Sequence, residues 1–176
     1  VDLGESVSFS RIVLHPARPY NWQEDVPGFG FPLRYRLEAS DDPDFKEPVM
    51  LADKSSEDQP NPGEKPVALD FPEVKARYVR FAATKLYVYT HIGFILALAD
   101  MQIMDGSGAS IGREKPVTAL DSIEDHGWAK SKLTDGELRS RPPETAAPIF
   151  RHEFDLAKRV KRARAYVCLL YTSPSP

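Results

Sequence analysis

The chain has 176 residues, enough for one sizeable core, or for one domain and the beginning of a second. Its net charge of -3 carries no basic excess of the kind a phosphate-binding surface shows, so a nucleic-acid partner is not expected. A single cysteine, Cys168, excludes an internal disulfide and a cysteine-rich zinc site, and 16 scattered prolines leave little room for long helices, which favours an all-β fold.

The opening VDLGESVSFSRIVLHP predicts two short strands, residues 1–3 and 7–14, separated by a turn at Gly4-Glu5-Ser6 and stopped at His15-Pro16. In the second, Ile12 and Leu14 share a face with Ser8 and Ser10, while Val7, Phe9 and Val13 share the other with Arg11. The aperiodic loop ARPYNWQEDVPGFG follows, and it is the first candidate for function because loops carry sites on rigid β scaffolds. FPLRYRLEASDDPDF, residues 31–45, alternates apolar Phe31, Leu33, Tyr35, Leu37 and Ala39 with polar neighbours, the period of a strand with one face in the core and one in water. Its stop at Ser40-Asp41-Asp42-Pro43 combines local acceptors with a residue that cannot donate to a ladder.

Further along, VALDF and ARYVRFAAT predict two more strands, the second with Val79, Phe81 and Ala83 on one face. LYVYTHI, residues 86–92, reads either as a strand end or as a second aromatic loop, and FILALADMQIM as a strongly buried strand closing at Asp105-Gly106. GFILALA within this region is far shorter than the roughly 18 apolar residues needed to span a bilayer. From Ser107 the texture changes to Gly/Ser punctuation, with one β-like run at residues 117–120 and an isolated Trp128. Residues 137–148 are linker-like, IFRHEFDL and RARAYVCLL alternate as two strands of a new sheet, and YTSPSP has the composition of a disordered tail.

Four pieces in order, VDLGESVSFSRIVLHP, FPLRYRLEASDDPDF, ARYVRF and LALADMQIMD, resemble the coagulation factor 5/8 type C, or discoidin-like, galactose-binding domain. PIFRHEFDLAKRVKRARAYVC is similar to the opening of the N-terminal β-sandwich of bacterial α-L-rhamnosidases, a resemblance that ends where LLYTSPSP departs from that pattern. Together the resemblances imply a galactose-binding-like jelly-roll β-sandwich over residues 1–106, followed by the first strands of a second, truncated β-sandwich over 149–168 and a non-native tail over 169–176. Residues 107–148 form a returning segment and linker, and PVTALDSIEDHGWAKSKLTDG within it either completes the first sandwich or begins another.

The function this implies is a non-catalytic carbohydrate-binding or accessory fragment of a secreted or periplasmic glycoside hydrolase, with a signal peptide expected outside the sequence in hand. Its partners would be a rhamnose-containing glycan and its own downstream catalytic domain; a discoidin-like adhesion module for protein or lipid headgroups is the alternative. The inverting reaction of such a hydrolase needs two carboxyl groups on a helical barrel beyond this chain, so no catalytic residue is assigned. Asp41, Asp42, Asp44, Glu124 and Asp125 lie in turn-like sequence where capping and solvation explain them. The four histidines lack HxH or HExxH spacing, no GxSxG elbow exists, and the basic run 158–164 reads as a solvated hairpin turn.

For sugar binding the suitable residues are Arg18, Tyr20, Asn21 and Trp22 in the first loop and Tyr87, Tyr89 and His91 in the second. Aromatic faces meet sugar C–H surfaces and planar polar groups meet hydroxyls; the competing role for the tryptophan is a core plug. No cofactor is required, but the resemblance implies a structural calcium near the closing strand, with Asp100 where the family has Glu and Asp135, followed by Gly136, returning to supply further oxygens.

Overall fold

The computed structural model describes residues 1–19, 26–89, 93–125 and 127–138. By internal contacts the chain divides into a unit Val1–Glu144 and a unit Thr145–Pro176, and every described residue belongs to the first. The strands expected at 149–168, the basic run and the tail lie outside the described residues.

The fold is all-β, with antiparallel sheets in a sandwich-like arrangement. Seven strands are described: β1 (Asp2–Pro16), β2 (Arg34–Ser40), β3 (Val49–Lys54), β4 (Val67–Lys85), β5 (Tyr87–Tyr89), β6 (Gly93–Ile95) and β7 (Leu98–Met104). Five of them form one sheet in the order β3-β2-β4-β1-β7, and β5 with β6 forms a separate hairpin. β1 ends beside the starts of β4 and β7, whereas β2 starts beside the far end of β4, where Arg34 pairs with Lys85. Between these ends, an Ala17–Phe29 bridge closes the described part of the first connection (17–33) on itself, and Ala97 N–H, from the second (86–97), donates to Gly30 O at 3.0 Å. Phe31, on the first of them, enters the core against Tyr35.

That core is built from one face of the sheet. Leu37 and Ala39 on β2 are fully buried, opposite Phe81 and Val79 of β4, and Tyr35 stacks on Phe81 at 5.2 Å. The other face of β2 is wet only at its start, where Arg34 and Arg36 are partly exposed; further along, Glu38 and Ser40 are buried. Phe45, at φ 52°, brings its ring back over this face, with the Arg80 guanidinium 4.2 Å from its centroid and Tyr78 beside it. Glu38 is satisfied beneath by Arg80 at 2.7 Å.

The predicted opening pair is one strand. β1 absorbs Gly4, at φ 90°, as an irregularity in its pairing with β4 between Asp2 and Val7. A second register shift between Phe9 and Arg11 reverses the alternation, so that Phe9 and Ile12, three residues apart, are both fully buried. The matching irregularity in β4 falls between Asp70 and Val74 and holds Pro72, which explains how one strand continues through a residue without an N–H.

The predicted strand FILALADMQIM is corrected to two elements. β6 and β7 are separated at Leu96 and Ala97, and Phe94, expected inside, is 71% exposed. The Asp105-Gly106 turn forms as expected, with Asp105 Oδ1 accepting from the N–H groups of Ser107 and Ala109. Residues 117–120 make no strand, and Leu120 is fully exposed. The returning segment packs on the sheet: Ile111 N–H donates to Ile103 O at 2.8 Å, Asp2 N–H donates to Pro116 O at 3.0 Å, and Ile111 and Leu133 lean on the core. A short 3-10 helix at Lys130–Thr134, η1, completes the described part.

Candidate functional site

Where β1 ends and β7 begins, a small second cluster stands apart from the main core. Ala17, Phe29 and Ala97 are buried there, with Val26, Tyr89, Ile95 and Trp128 packed around them. Phe29 is its centre, 4.8 Å from the Tyr89 ring and 5.9 Å from the Trp128 ring. Three stretches distant in sequence thus meet: the first loop, the β5–β6 hairpin and the returning segment. A turn closed by Trp128 N–H donating to Asp125 O at 2.9 Å, with Gly127 at φ 82°, sets the tryptophan in place.

Beside the cluster lies a shallow pocket of about 60 Å³. Ala17, Leu98, Ala99, Ala129 and Trp128 give it mostly apolar walls, and Arg18, Lys132 and Glu137 supply its charged groups. Arg18 is paired with Glu64, from the long loop before β4, so its guanidinium is anchored beside the pocket. An apolar concavity with an aromatic wall and a few charged groups is the usual form of a small-molecule site.

Of the expected ligand-binding residues, Arg18 lines this pocket. Tyr89 is held in the adjoining cluster, where its hydroxyl oxygen accepts the Gly30 N–H at 3.1 Å, so the ring has a packing role. Tyr87 lies 4.8 Å from Tyr89 and is 40% exposed. Tyr20, Asn21, Trp22 and His91 lie outside the described residues. Trp128, Lys132 and Glu137 were not foreseen as site residues; the isolated tryptophan in a polar, Gly-punctuated segment was the one signal available.

A second depression, lined by polar groups, separates β7 from the returning segment, with Asp100, Gln102, Ser110, Arg113, Thr134 and Gly136 around it. Asp100 is 2% exposed and accepts a 3.3 Å hydrogen bond from Gln102. Burial pushes its carboxyl above the usual range; the Gln102 bond and the positive potential of His15 oppose that, and nearby Asp135 adds to it. His15 is the cross-strand neighbour of Asp100, and its Nε2 is buried with no hydrogen-bond partner among the described residues. Asp135 thus does return to the neighbourhood of Asp100. Asp100 and Asp135 bring two carboxylates to this place, and among the described residues no three acidic, histidine or cysteine side chains are grouped to hold a metal.

Among the described residues no helix is long and apolar enough to cross a membrane. Comparison of the chain with protein-family models, with curated proteins and with solved structures finds no match.

Proposed function

We propose that this chain is a non-catalytic carbohydrate-binding or accessory piece of a secreted or periplasmic α-L-rhamnosidase-like glycoside hydrolase, with a discoidin-like sandwich as its first module. The observation that carries the binding part is the pocket in which Arg18 and Trp128 come together beside mostly apolar walls. Sugars present C–H faces to aromatic rings and hydroxyls to charged or planar groups, so this combination of walls suits them. The sequence resemblances to discoidin-like and rhamnosidase domains supply the parentage. Affinity electrophoresis of the 176-residue chain through gels containing rhamnose-rich plant and bacterial polysaccharides tests it. Retardation by at least one gel is expected; unchanged migration in all of them leaves the binding part without support.

One observation favours a second reading, an adhesion module that meets protein or lipid headgroups. Val88 and Phe94 are directly opposed on the β5–β6 hairpin and are 54% and 71% exposed. Isolated exposed apolar residues are ordinary, but a cross-strand pair at a hairpin is a compact contact surface. Sedimentation with anionic liposomes, which the first reading predicts to be absent, separates the two.

A further inference from the structure

We infer that the polar depression beside β7 is a binding site for a small α-amino acid held as its zwitterion, with the ammonium on Asp100 and the carboxylate on Arg113. The site is separate from the Trp128 pocket and does not depend on the carbohydrate reading. Its floor carries the observation that points to a ligand. Asp100 is 2% exposed, accepts one side-chain hydrogen bond, from the neutral amide of Gln102, and forms no ion pair among the described residues. His15, its cross-strand neighbour, makes no bond to it, and the buried Nε2 of that ring has no partner. Buried charges are ordinarily paired or neutralised. A carboxylate that lines a polar pocket with only an amide beside it is set to take a cationic group from outside.

A primary ammonium has three N–H donors and needs acceptors in three directions. Beside the carboxylate, Gln102 keeps its carbonyl oxygen while its Nε2 donates to Asp100, and the Thr134 hydroxyl, which donates to Lys115 O at 2.8 Å, keeps its lone pairs. The opposite charge stands at the rim. Arg113 is exposed, lines the same depression and has no hydrogen bond or ion pair among the described residues. It lies across Gly136, where a Cβ would stand 3.3 Å from its Cζ, so the glycine leaves space for the guanidinium. A guanidinium takes a carboxylate through two parallel bonds. A simple cation would meet Arg113 as a like charge, and a simple anion would meet Asp100 in the same way, whereas a zwitterion finds an opposite charge at each end. Size narrows the class further. The depression measures about 80 Å³, against about 150 Å³ for a cavity that encloses benzene, so it admits the ammonium and the α-carbon and leaves the carboxylate at the rim. Glycine, alanine and serine are thereby favoured over larger amino acids.

The test is an NMR titration of the isotope-labelled full chain at neutral pH with glycine, L-alanine and L-serine, each alone, and with glycinamide, acetate and calcium chloride as controls. At least one of the three amino acids is expected to shift the Gln102 side-chain amide and the Arg113 and Gly136 backbone resonances. Its affinity is expected to exceed that of glycinamide and of acetate about tenfold or more, since each of these lacks one of the two charge-assisted contacts. Absence of a shift with all three amino acids overturns the inference, as does equal affinity for glycine and glycinamide or a response to calcium alone. Retardation by polysaccharide is a separate readout, so failure here and failure of the carbohydrate reading are distinguishable.

Two variants tie the effect to this depression. Arg113→Gln removes the rim charge at an exposed position and is expected to lower glycine affinity about tenfold, to near that of glycinamide, while glycinamide binding stays unchanged. Loss of both ligands alike, or of neither, overturns the inference. Asp100→Asn keeps the shape of the side chain without its charge and is expected to abolish binding of glycine and glycinamide together, with the spectrum of a folded chain retained. Glycine binding that survives in that variant also overturns the inference. Should Asp100→Asn fail to fold, the split between the two ligands in Arg113→Gln decides alone.

Discussion

The Tyr89 hydroxyl oxygen accepts the backbone N–H of Gly30 at 3.1 Å, and this bond ties the β5–β6 hairpin to the first loop at the edge of the candidate site. Tyr89→Phe keeps the ring against Phe29 but leaves the Gly30 N–H, in a partly buried place, without its acceptor. A loss of about 0.5–1.5 kcal/mol is expected in urea unfolding. Tyr87→Phe, at an exposed neighbour, is expected to change stability by less than about 0.5 kcal/mol. Equal losses in the two variants would show that the Tyr89 bond does not hold the hairpin.

Gly30 is constrained from the other side as well. Its φ is +64°, and a Cβ added there would stand 2.8 Å from both the backbone nitrogen and the Cβ of Ala97. Side chains disfavour that backbone region, and the nearest obstacle includes backbone rather than a flexible tip. Gly30→Ala is expected to cost about 1–3 kcal/mol and to weaken sugar binding, because Ala97 leads directly into Leu98 and Ala99 of the pocket wall. Thermal melts and titration of the same variant check both effects.

Glu38 and Arg80 make an asymmetric pair. The carboxylate side chain is 10% exposed and the guanidinium side chain 41%, so only the arginine can turn to water when its partner is lost. Arg80→Ala should therefore cost about 1–3 kcal/mol by leaving a buried acceptor unsatisfied, with some added loss from its contact over Phe45. Glu38→Gln should cost less than about 1 kcal/mol. In a double-mutant cycle, Glu38→Gln should recover part of the Arg80→Ala loss; strict additivity would mean that the two side chains do not interact.

What could be read from the sequence was the local part of this arrangement. Tyr35, Leu37 and Ala39 alternate because β2 is regular where they sit, and Val79 and Phe81 oppose them for the same reason. Phe9 and Ile12 could not be read in the same way, since a register shift depends on pairing with β4 and moves the inward face by one residue. Glu38 and Ser40 looked solvent-facing because nothing in their spacing announces that Phe45 folds back over them. The site divides along the same line. Arg18 was visible as a loop cation beside aromatic residues, but Trp128 and Lys132 join it only because the returning segment packs across β7, a long-range choice that composition and period do not encode.

The pairing of Asp2 with Arg77 leads to a pH dependence of definite sign. The Arg77 side chain donates to both carboxylate oxygens, at 2.8 and 2.9 Å, and Gly4 N–H adds a third bond at 2.8 Å. These bonds, the arginine's first, hold the Asp2 carboxyl at about 2 against an ordinary value of 3.8. Between those two values the unfolded chain binds the proton more readily than the folded one, so stability rises with pH across the window. The contribution is present above the ordinary value and is lost as pH falls through about 2. Both side chains are about a third or more exposed, and water screens the pair, so its worth is under about 1 kcal/mol. Asp2→Asn is accordingly expected to lower stability slightly at pH 6, with the gap from the parent closing as the pH is lowered towards 2. Urea unfolding of both proteins at several pH values measures this directly. A gap that stays constant down to the acid limit would mean that the Asp2 charge does not contribute through Arg77.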